Sequence, residues 1–181
     1  MRPPPLIALI GFMGAGKTTV GRILAARLGY EFIDTDDVIV QRAGAPIAEI
    51  FRARGEADFR RLEAEALASL AGRTRAVVAA GGGAPAQAAN RQFFASQAVT
   101  FHLRVSLPHA RDRATSAQGA VRPLLSQGDT AVQQLYDSRR PMYEELGKPV
   151  ETDGRSPAEV AEMIVRLLSD PTVSRVPGET P

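Results

Sequence analysis

Residues 11–18 read Gly-Phe-Met-Gly-Ala-Gly-Lys-Thr, and this short stretch decides how the rest of the chain is interpreted. It matches the pattern G-x-x-x-x-G-K-[ST], in which backbone N–H groups surround phosphates, a lysine reaches the outer phosphate oxygens and a hydroxyl ligates Mg²⁺. Lys17 is one of two lysines in a chain whose 22 basic residues are otherwise arginines. A planar guanidinium replaces a compact ammonium poorly in such a loop. The stretch therefore predicts a nucleoside triphosphate site.

The sequence on both sides of this loop supports that prediction. Leu6–Ile10 is a continuous apolar run, which is typical of a parallel strand buried on both faces. Apolar residues recur at helical spacing from Val20 to Leu28, and Gly29 stands where a helix commonly ends. Strand, glycine loop and helix thus follow in the order that aims a helix N-terminus at an anion. The alternative is a glycine-rich turn that carries a lysine by coincidence.

Composition limits the class of protein. The 181 residues are 44% hydrophobic and 23% charged, which is ordinary for one globular domain spanning residues 1–181. No apolar run approaches the roughly 18 residues of a membrane helix, and there are no cysteines. The pI of about 9.4 reflects a small arginine excess, since the net charge at pH 7 is only +2. We expect a cytoplasmic monomer that binds neither nucleic acid nor a membrane.

Predicted strands and helices alternate along the chain, which favours an α/β fold with a doubly wound parallel sheet. After the first strand, further strands are predicted at residues 31–33, 76–80, 99–105 and 149–152. Helices are predicted over stretches that include residues 58–70, 131–144 and 157–168. The last of these opens with Ser156-Pro157-Ala158-Glu159, a capping box with proline at the first helical position. In such a sheet, ligands bind at the carboxyl ends of the strands. The last residues, from about 170 to 181, contain three prolines and predict a loose tail.

Three carboxylates follow the second predicted strand, in Asp34-Thr35-Asp36-Asp37. If the strand continues, Asp34 and Asp36 point the same way. Asp34 is then a candidate for the hydration shell of Mg²⁺, and Asp36 for accepting a proton from an attacking hydroxyl. The alternative is that Asp36 or Asp37 only caps the following helix, and we expect Asp37 to do so.

Glycines and arginines supply further candidates. Gly81–Gly83 follow an apolar strand, which favours close approach of the backbone to a ligand, although a plain strand-exit turn is the alternative. The stretch Gly55–Glu63 begins a helix after a glycine, and Glu63 lies one turn after Arg60, where it could orient the guanidinium. A second basic pair, Arg139–Arg140, lies in a later predicted helix. Most other arginines are expected to be solvated surface groups.

Taken together, these motifs resemble a known family. The stretches GFMGAGKTTVGR, FIDTDD, GEADFRRLE, GGGA, VRPLL and RRPMY occur in the order and at about the separations found in shikimate kinases. The resemblance covers residues 6–168 and implies a three-layer α/β/α P-loop kinase fold with a five-stranded parallel sheet. It also implies a mobile lid at about residues 115–128. The implied activity is transfer of the γ-phosphoryl group of ATP, with Mg²⁺, to the 3-hydroxyl of shikimate in aromatic amino-acid biosynthesis.

Position by position, the resemblance also implies roles for individual residues. The nucleotide would be held by Gly14, Ala15, Gly16, Lys17, Thr18 and Thr19, with Arg113 and Arg155 beside the adenine and Arg122 in the lid. The metal would be held by Thr18 and Asp34. The acceptor pocket would consist of Asp36, Arg60, Gly82, Gly83 and Arg139. The catalytic residues would be Lys17, Asp36 and Arg122.

Parts of the sequence are also compatible with other functions. A gluconate kinase or a nucleoside monophosphate kinase would share the loop and the fold, although paired arginines beside glycines favour a carboxylated acceptor. A GTPase would need N-K-x-D, and neither Lys17 nor Lys148 follows an asparagine. A ligand-sensing domain of a regulator would carry a DNA-binding segment or altered catalytic positions, and the sequence shows neither.

Overall fold

The computed structural model describes residues 6–116, 128–170 and 173. Within these ranges the chain forms five strands and seven α-helices. Two predicted features lie outside them: residues 117–127, which include Arg122 and most of the predicted lid, and most of the predicted tail.

Strands and helices alternate as the sequence predicts. The strands are β1 (Leu6–Ile10), β2 (Glu31–Asp34), β3 (Ala76–Ala79), β4 (Val99–Arg104) and β5 (Lys148–Glu151). The helices are α1 (Lys17–Leu28), α2 (Thr35–Ala43), α3 (Ile47–Ala68), α4 (Ala88–Ser96), α5 (Leu107–Ser116), α6 (Asp129–Leu146) and α7 (Pro157–Leu168). A short 3₁₀-helix, Ala84–Ala86, lies between β3 and α4. No helix in the described ranges is long and apolar enough to cross a membrane.

The five strands form one parallel sheet in the order β2-β3-β1-β4-β5, which confirms the predicted sheet. Neighbouring residues of β1 face different helix layers. A Cβ built on Gly21 of α1 would lie 3.4 Å from Leu9 Cδ1. On the other face, His102, which pairs with Ile10, packs its ring 5.1 Å from that of Tyr143 in α6. Helices therefore cover both faces, and the three-layer α/β/α fold is confirmed.

β1 lies at the centre of the sheet, and every one of its residues is at most 1% exposed. A strand covered on both faces has no polar side, which explains the continuous apolar run. The phosphate loop leaves the carboxyl end of β1, while Asp34 ends β2 and Gly81 follows β3. Because β2, β3 and β1 are adjacent and parallel, these three segments meet at one edge of the sheet.

Helix α3 is longer than the sequence predicts. It begins at Ile47 rather than near residue 58, and Gly55, with φ 79° and ψ 175°, interrupts it. The helix predicted after this glycine is thus the second half of α3. Helices α2 and α3 share a small apolar core separate from the main one, formed by Ile39, Ile50, Phe59, Leu62 and Ala66. Arg60 and Glu63 lie on the same part of α3, so the packing of this core fixes their position.

Helix α7 begins with the predicted capping box. The Ser156 hydroxyl accepts a hydrogen bond from the Glu159 N–H at 3.3 Å, and the Glu159 carboxylate accepts one from the Ser156 N–H at 2.7 Å. Pro157 occupies the first helical position, where a missing N–H is harmless. The helix then buries Val160 and Ile164 in the main core.

We expect Ser156→Ala to lower the free energy of unfolding by about 1 kcal/mol, because it leaves an N–H of the first turn without its side-chain acceptor. Urea denaturation of the ligand-free protein would measure the loss. Ser96→Ala is the matched control. Its hydroxyl donates to the Gln92 carbonyl at an exposed helix end, so a change within about 0.5 kcal/mol is expected. Equal losses in the two variants would contradict the capping role.

Candidate active site

The phosphate loop leads directly into the N-terminal turn of α1. Gly16 is the N-cap residue with φ 88°, no side chain caps the helix, and no acidic residue lies in its first turn. The N–H groups of Lys17, Thr18 and Thr19 therefore face the loop as potential anion ligands. Gly14, with φ 75°, is also required, because a Cβ there would lie 2.5 Å from the Ala110 carbonyl oxygen. The loop geometry is that of a phosphate site.

Lys17 lies across this loop. Its Nζ donates to the carbonyl oxygens of Gly11 at 2.8 Å and Phe12 at 3.1 Å. Next to it, the Thr18 hydroxyl donates to Asp34 Oδ2 at 2.8 Å, which links the loop to the end of β2. The ammonium, the hydroxyl and the carboxylate therefore converge on the space in front of the first turn of α1.

The carboxylates after β2 are arranged differently from the sequence prediction. Asp34, not Asp36 or Asp37, caps α2, since its Oδ1 accepts from the Asp36 N–H at 3.1 Å. The helix already begins at Thr35, so Asp36 belongs to the first helical turn. Strand alternation therefore does not set its direction, and the expectation that Asp37 caps the helix is wrong. Asp34 serves both as cap and as acceptor for Thr18.

Asp36 lies in an environment that disfavours its charge. Burial, with the neighbouring carboxylates of Asp34 and Glu63, raises its pKa to about 6, although the charge of Lys17 opposes the shift. An ordinary aspartate titrates about two units lower. Asp36 is thus largely ionised at neutral pH, and it holds a proton more readily than a surface carboxylate.

The glycine turn, Gly81–Gly83, contacts a different group at each residue. A Cβ on Gly81 would lie 2.8 Å from Glu63 Oε1 and 3.2 Å from Asp36 Oδ1. One on Gly82 would lie 3.5 Å from the Gly11 carbonyl oxygen and 3.7 Å from Arg139 Nη1, and one on Gly83 would collide with the Arg60 guanidinium. The turn therefore brings Asp36, the phosphate loop and both predicted arginines together.

Arg60 is held in place by acidic side chains of its own helix. Its Nη1 donates to Glu63 Oε2 at 2.9 Å, and its Nη2 donates to Glu56 Oε1 at 3.1 Å. Glu63 is only 1% exposed, and burial raises its pKa, against the opposing effect of its hydrogen bond to Arg60. Gln87 Nε2 donates to the same carboxylate at 3.3 Å and to the Arg60 carbonyl at 3.0 Å. The guanidinium is thus oriented before any ligand arrives.

Arg139 approaches the glycine turn from α6. The charge of its guanidinium acts on Tyr143, which lies one helical turn later, and on Glu63. Arg60 and Arg139 therefore reach consecutive glycines from two different helices. Such a pair of guanidinium groups suits a small carboxylate, which each can contact through planar N–H donors.

Sequence reasoning missed three residues of this site. Thr35 is completely buried, and its hydroxyl accepts from the Gly81 N–H at 3.0 Å. Gln87 donates to the Arg60 carbonyl, as described above, and the Tyr143 hydroxyl donates to the Gly82 carbonyl oxygen at 2.5 Å. Tyr143 follows Arg139 by four residues on α6, so helical spacing could have indicated it. No local signal marks Thr35 or Gln87, because their partners are distant in the sequence.

The two arginines predicted beside the adenine lie near one loop. Arg113 Nη2 donates to the Thr152 carbonyl at 2.8 Å, and its Nη1 lies 3.4 Å from the Gly14 carbonyl oxygen. Arg155 is exposed in the same loop after β5, and its N–H donates to the Thr152 carbonyl at 3.3 Å. Arg113 thus contacts the phosphate loop at Gly14, and both arginines contact Thr152 in the loop after β5. Arg122 lies outside the described residues.

Comparison with known proteins agrees with this arrangement. A shikimate kinase from Xanthomonas campestris is 40% identical over 182 residues, which covers 98% of this chain and all of that protein. The solved structure of a shikimate kinase from Acinetobacter baumannii in complex with shikimate is 39% identical, with a TM-score of 0.84, and the match covers 92% of this chain and 93% of that one. A gluconokinase from Sinorhizobium meliloti, at 21% identity and TM-score 0.55 over 90% of both chains, shares the fold alone.

The family model for shikimate kinase matches residues 13–169, which include most of the phosphate loop, the glycine turn and the helices that carry Arg60 and Arg139. The match, the relatives and the geometry of the site lead to the same assignment. The chain belongs to the shikimate kinase family.

Proposed function

We propose that the protein transfers the γ-phosphoryl group of ATP to the 3-hydroxyl of shikimate. The observation that carries this proposal is the glycine turn, where Arg60 and Arg139 flank consecutive glycines beside Asp36 and the phosphate loop. A carboxylate held by the two guanidinium groups would leave the rest of a small ring facing Asp36. The complex of the Acinetobacter baumannii relative with shikimate supports this choice of acceptor.

The nucleotide side is assigned to the phosphate loop. Its N–H groups and Lys17 would hold the phosphates, and Arg113 and Arg155 would flank the adenine on the opposite side from the acceptor. Lys17 would exchange its bonds to loop carbonyls for bonds to phosphate oxygens, which carry a larger charge. Arg122 is proposed to act from the lid, where its charge would stabilise the transferring group.

Thr18 and Asp34 fit a magnesium site. Mg²⁺ prefers hard oxygen ligands and is usually held by one or two carboxylates together with phosphates and water. Thr18 Oγ1 and Asp34 Oδ2 are 2.8 Å apart, and no group of three or more acidic or histidine side chains in the described ranges could hold a metal alone. When bound, the ion would neutralise charge on the phosphate oxygens.

Asp36 is proposed to align the acceptor hydroxyl and accept its proton. A carboxylate with a pKa of about 6 is ionised at pH 7 yet remains basic enough to take a proton as the new bond forms. Exclusion of water by a closed lid would favour the acceptor over hydrolysis. Because Arg60, Arg139 and Asp36 all belong to one chain, we also propose that the cytoplasmic monomer is active.

The activity can be tested by ADP release from MgATP with shikimate, quinate, gluconate or a nucleoside monophosphate as acceptor. We expect shikimate to give the highest kcat/KM. A nucleotide or gluconate that proved the better acceptor would contradict the proposal. Lys17→Met is the negative control, because it removes the phosphate-binding ammonium, and it should abolish ADP release with every acceptor.

Arg139→Ala should raise the KM for shikimate at least tenfold and leave the KM for ATP within twofold. A charge-assisted hydrogen bond contributes about 1.5–3 kcal/mol, and this one would be made only to the acceptor. Arg140→Ala is the matched control, since its side chain is 58% exposed and lies 3.7 Å from Glu144. Equal rises in the KM for shikimate in the two variants, or an equally large rise in the KM for ATP in Arg139→Ala, would contradict the placement of Arg139 in the acceptor pocket.

Asp34→Asn and Asp36→Asn should have different consequences. Asp34→Asn should raise the half-saturating Mg²⁺ concentration severalfold, because the ion loses a charged partner. Asp36→Asn should suppress kcat with little change in metal dependence, because the base is lost. Mg²⁺ titrations of the initial rate would separate them, and identical titration curves would count against this division of roles.

The raised pKa of Asp36 also predicts that the Asp36→Asn variant is more stable than the unmutated protein. A pKa raised from 3.8 to about 6 means that stability falls as the pH rises through 6 and the buried group ionises. At pH 7.5, Asp36→Asn should therefore be more stable than the unmutated protein by about 1–3 kcal/mol, and the gain should vanish by pH 4. Urea denaturation at both pH values measures this.

The exposed neighbour provides the control for that measurement. Asp37→Asn should change the free energy of unfolding by less than about 0.5 kcal/mol at either pH. A pH-independent effect of Asp36→Asn, or a loss of stability at pH 7.5, would show that Asp36 is not the strained carboxylate described here. In the unmutated protein, kcat/KM for shikimate should fall below pH 6.

A further inference from the structure

Tyr143 lies behind the acceptor pocket, one helical turn after Arg139 on α6. The residue is 2% exposed, and its ring packs against that of His102 on β4. Its hydroxyl donates to the Gly82 carbonyl oxygen at 2.5 Å. A Cβ built on Gly82 would lie 3.7 Å from Arg139 Nη1. The hydrogen bond therefore ties the glycine turn to the helix that carries Arg139.

The chemistry of the two groups fixes the direction of this bond. A carbonyl oxygen can only accept, so the Tyr143 hydroxyl gives its single hydrogen to Gly82. Burial raises the pKa of Tyr143 to about 12, so this hydrogen is retained throughout the working range of pH. No apolar side chain of the same shape could make this connection.

The glycine turn is held from its other side as well. The Gly81 N–H donates to the buried Thr35 hydroxyl at 3.0 Å. The turn is thus anchored to α2 through Thr35 and to α6 through Tyr143. Since glycine has more backbone freedom than any other residue, a turn of three glycines needs such anchors to keep one geometry. The hydrogen bond from Tyr143 also compensates part of the negative charge on the Gly82 carbonyl oxygen, beside a pocket proposed to hold an anion.

We propose that Tyr143 is a positioning residue for the acceptor, which sets the place of the Arg139 guanidinium relative to the Gly82–Gly83 backbone. This inference rests on the proposed function, because it assigns to Tyr143 a part in binding the same carboxylated substrate. Tyr143 does not touch the nucleotide side of the phosphate loop in this role. Its loss should therefore affect the acceptor and not ATP.

Tyr143→Phe keeps the buried ring and removes only the hydroxyl. We expect the KM for shikimate to rise roughly three- to tenfold, the factor that corresponds to one ordinary hydrogen bond, with the KM for ATP within twofold. Tyr136→Phe is the matched control. It lies on the same helix, and its hydroxyl also donates to a backbone carbonyl, that of Val105, at 2.9 Å. That variant should leave both KM values within twofold.

A second comparison separates positioning from general loss of stability. Both tyrosine variants lose one internal hydrogen bond, so their urea midpoints should fall by similar amounts while only Tyr143→Phe affects shikimate. In an Arg139→Ala background, Tyr143→Phe should change the KM for shikimate less than twofold, because the group that it positions is absent.

Three outcomes would overturn the inference. The first is an unchanged KM for shikimate in Tyr143→Phe, and the second is an equal rise in the KM for ATP. The third is the same fold-change with and without Arg139. Absence of shikimate turnover in the unmutated protein is a distinct result, which would contradict the proposed function and this role with it.

Discussion

The carboxylate of Glu63 is 1% exposed, and a charge removed this far from water requires compensation by partners of the opposite sign. Arg60 and Gln87 donate to it, and Arg139 acts on it through its charge. The same carboxylate helps to raise the pKa of Asp36. It also lies 2.8 Å from where a Cβ of Gly81 would be, which excludes a side chain there. The orientation of Arg60, the basicity of Asp36 as the proposed base and the need for glycine at position 81 thus all depend on one buried carboxylate.

The fold separates the tasks of the two substrates. The phosphate loop is anchored in the centre of the sheet, where β1 is buried on both faces. The charged residues of the proposed acceptor pocket lie on α2 and α3, which share a small apolar core, and on α6. The glycine turn after β3 contacts both parts, since Gly82 lies against the phosphate loop and Gly83 against Arg60. In the proposed arrangement, this turn would place the acceptor, held by Arg60 and Arg139, next to the transferring phosphoryl group.

Local patterns predicted what local physics determines. The apolar run of β1, the loop, the capping box of α7 and the spacing of Arg60 and Glu63 are all visible within a few residues. The prediction that Asp37 caps α2 was wrong, because the capping residue depends on where β2 ends. The first half of α3 was not predicted, since its apolar residues pack against α2 in a separate core. Thr35, Gln87 and Tyr143 act through partners 24 to 61 residues away, which only the folded chain brings together.

The claim on which this account depends is that Arg60 and Arg139 recognise the carboxylate of the acceptor. The most direct test compares kcat/KM for shikimate and for its methyl ester with saturating MgATP. The ester keeps the ring and the hydroxyls but carries no charge for the two guanidinium groups. We expect the ester to be used at least tenfold less efficiently, since charge-assisted bonds of about 1.5–3 kcal/mol each are weakened. Equal efficiencies for the acid and the ester would contradict the account.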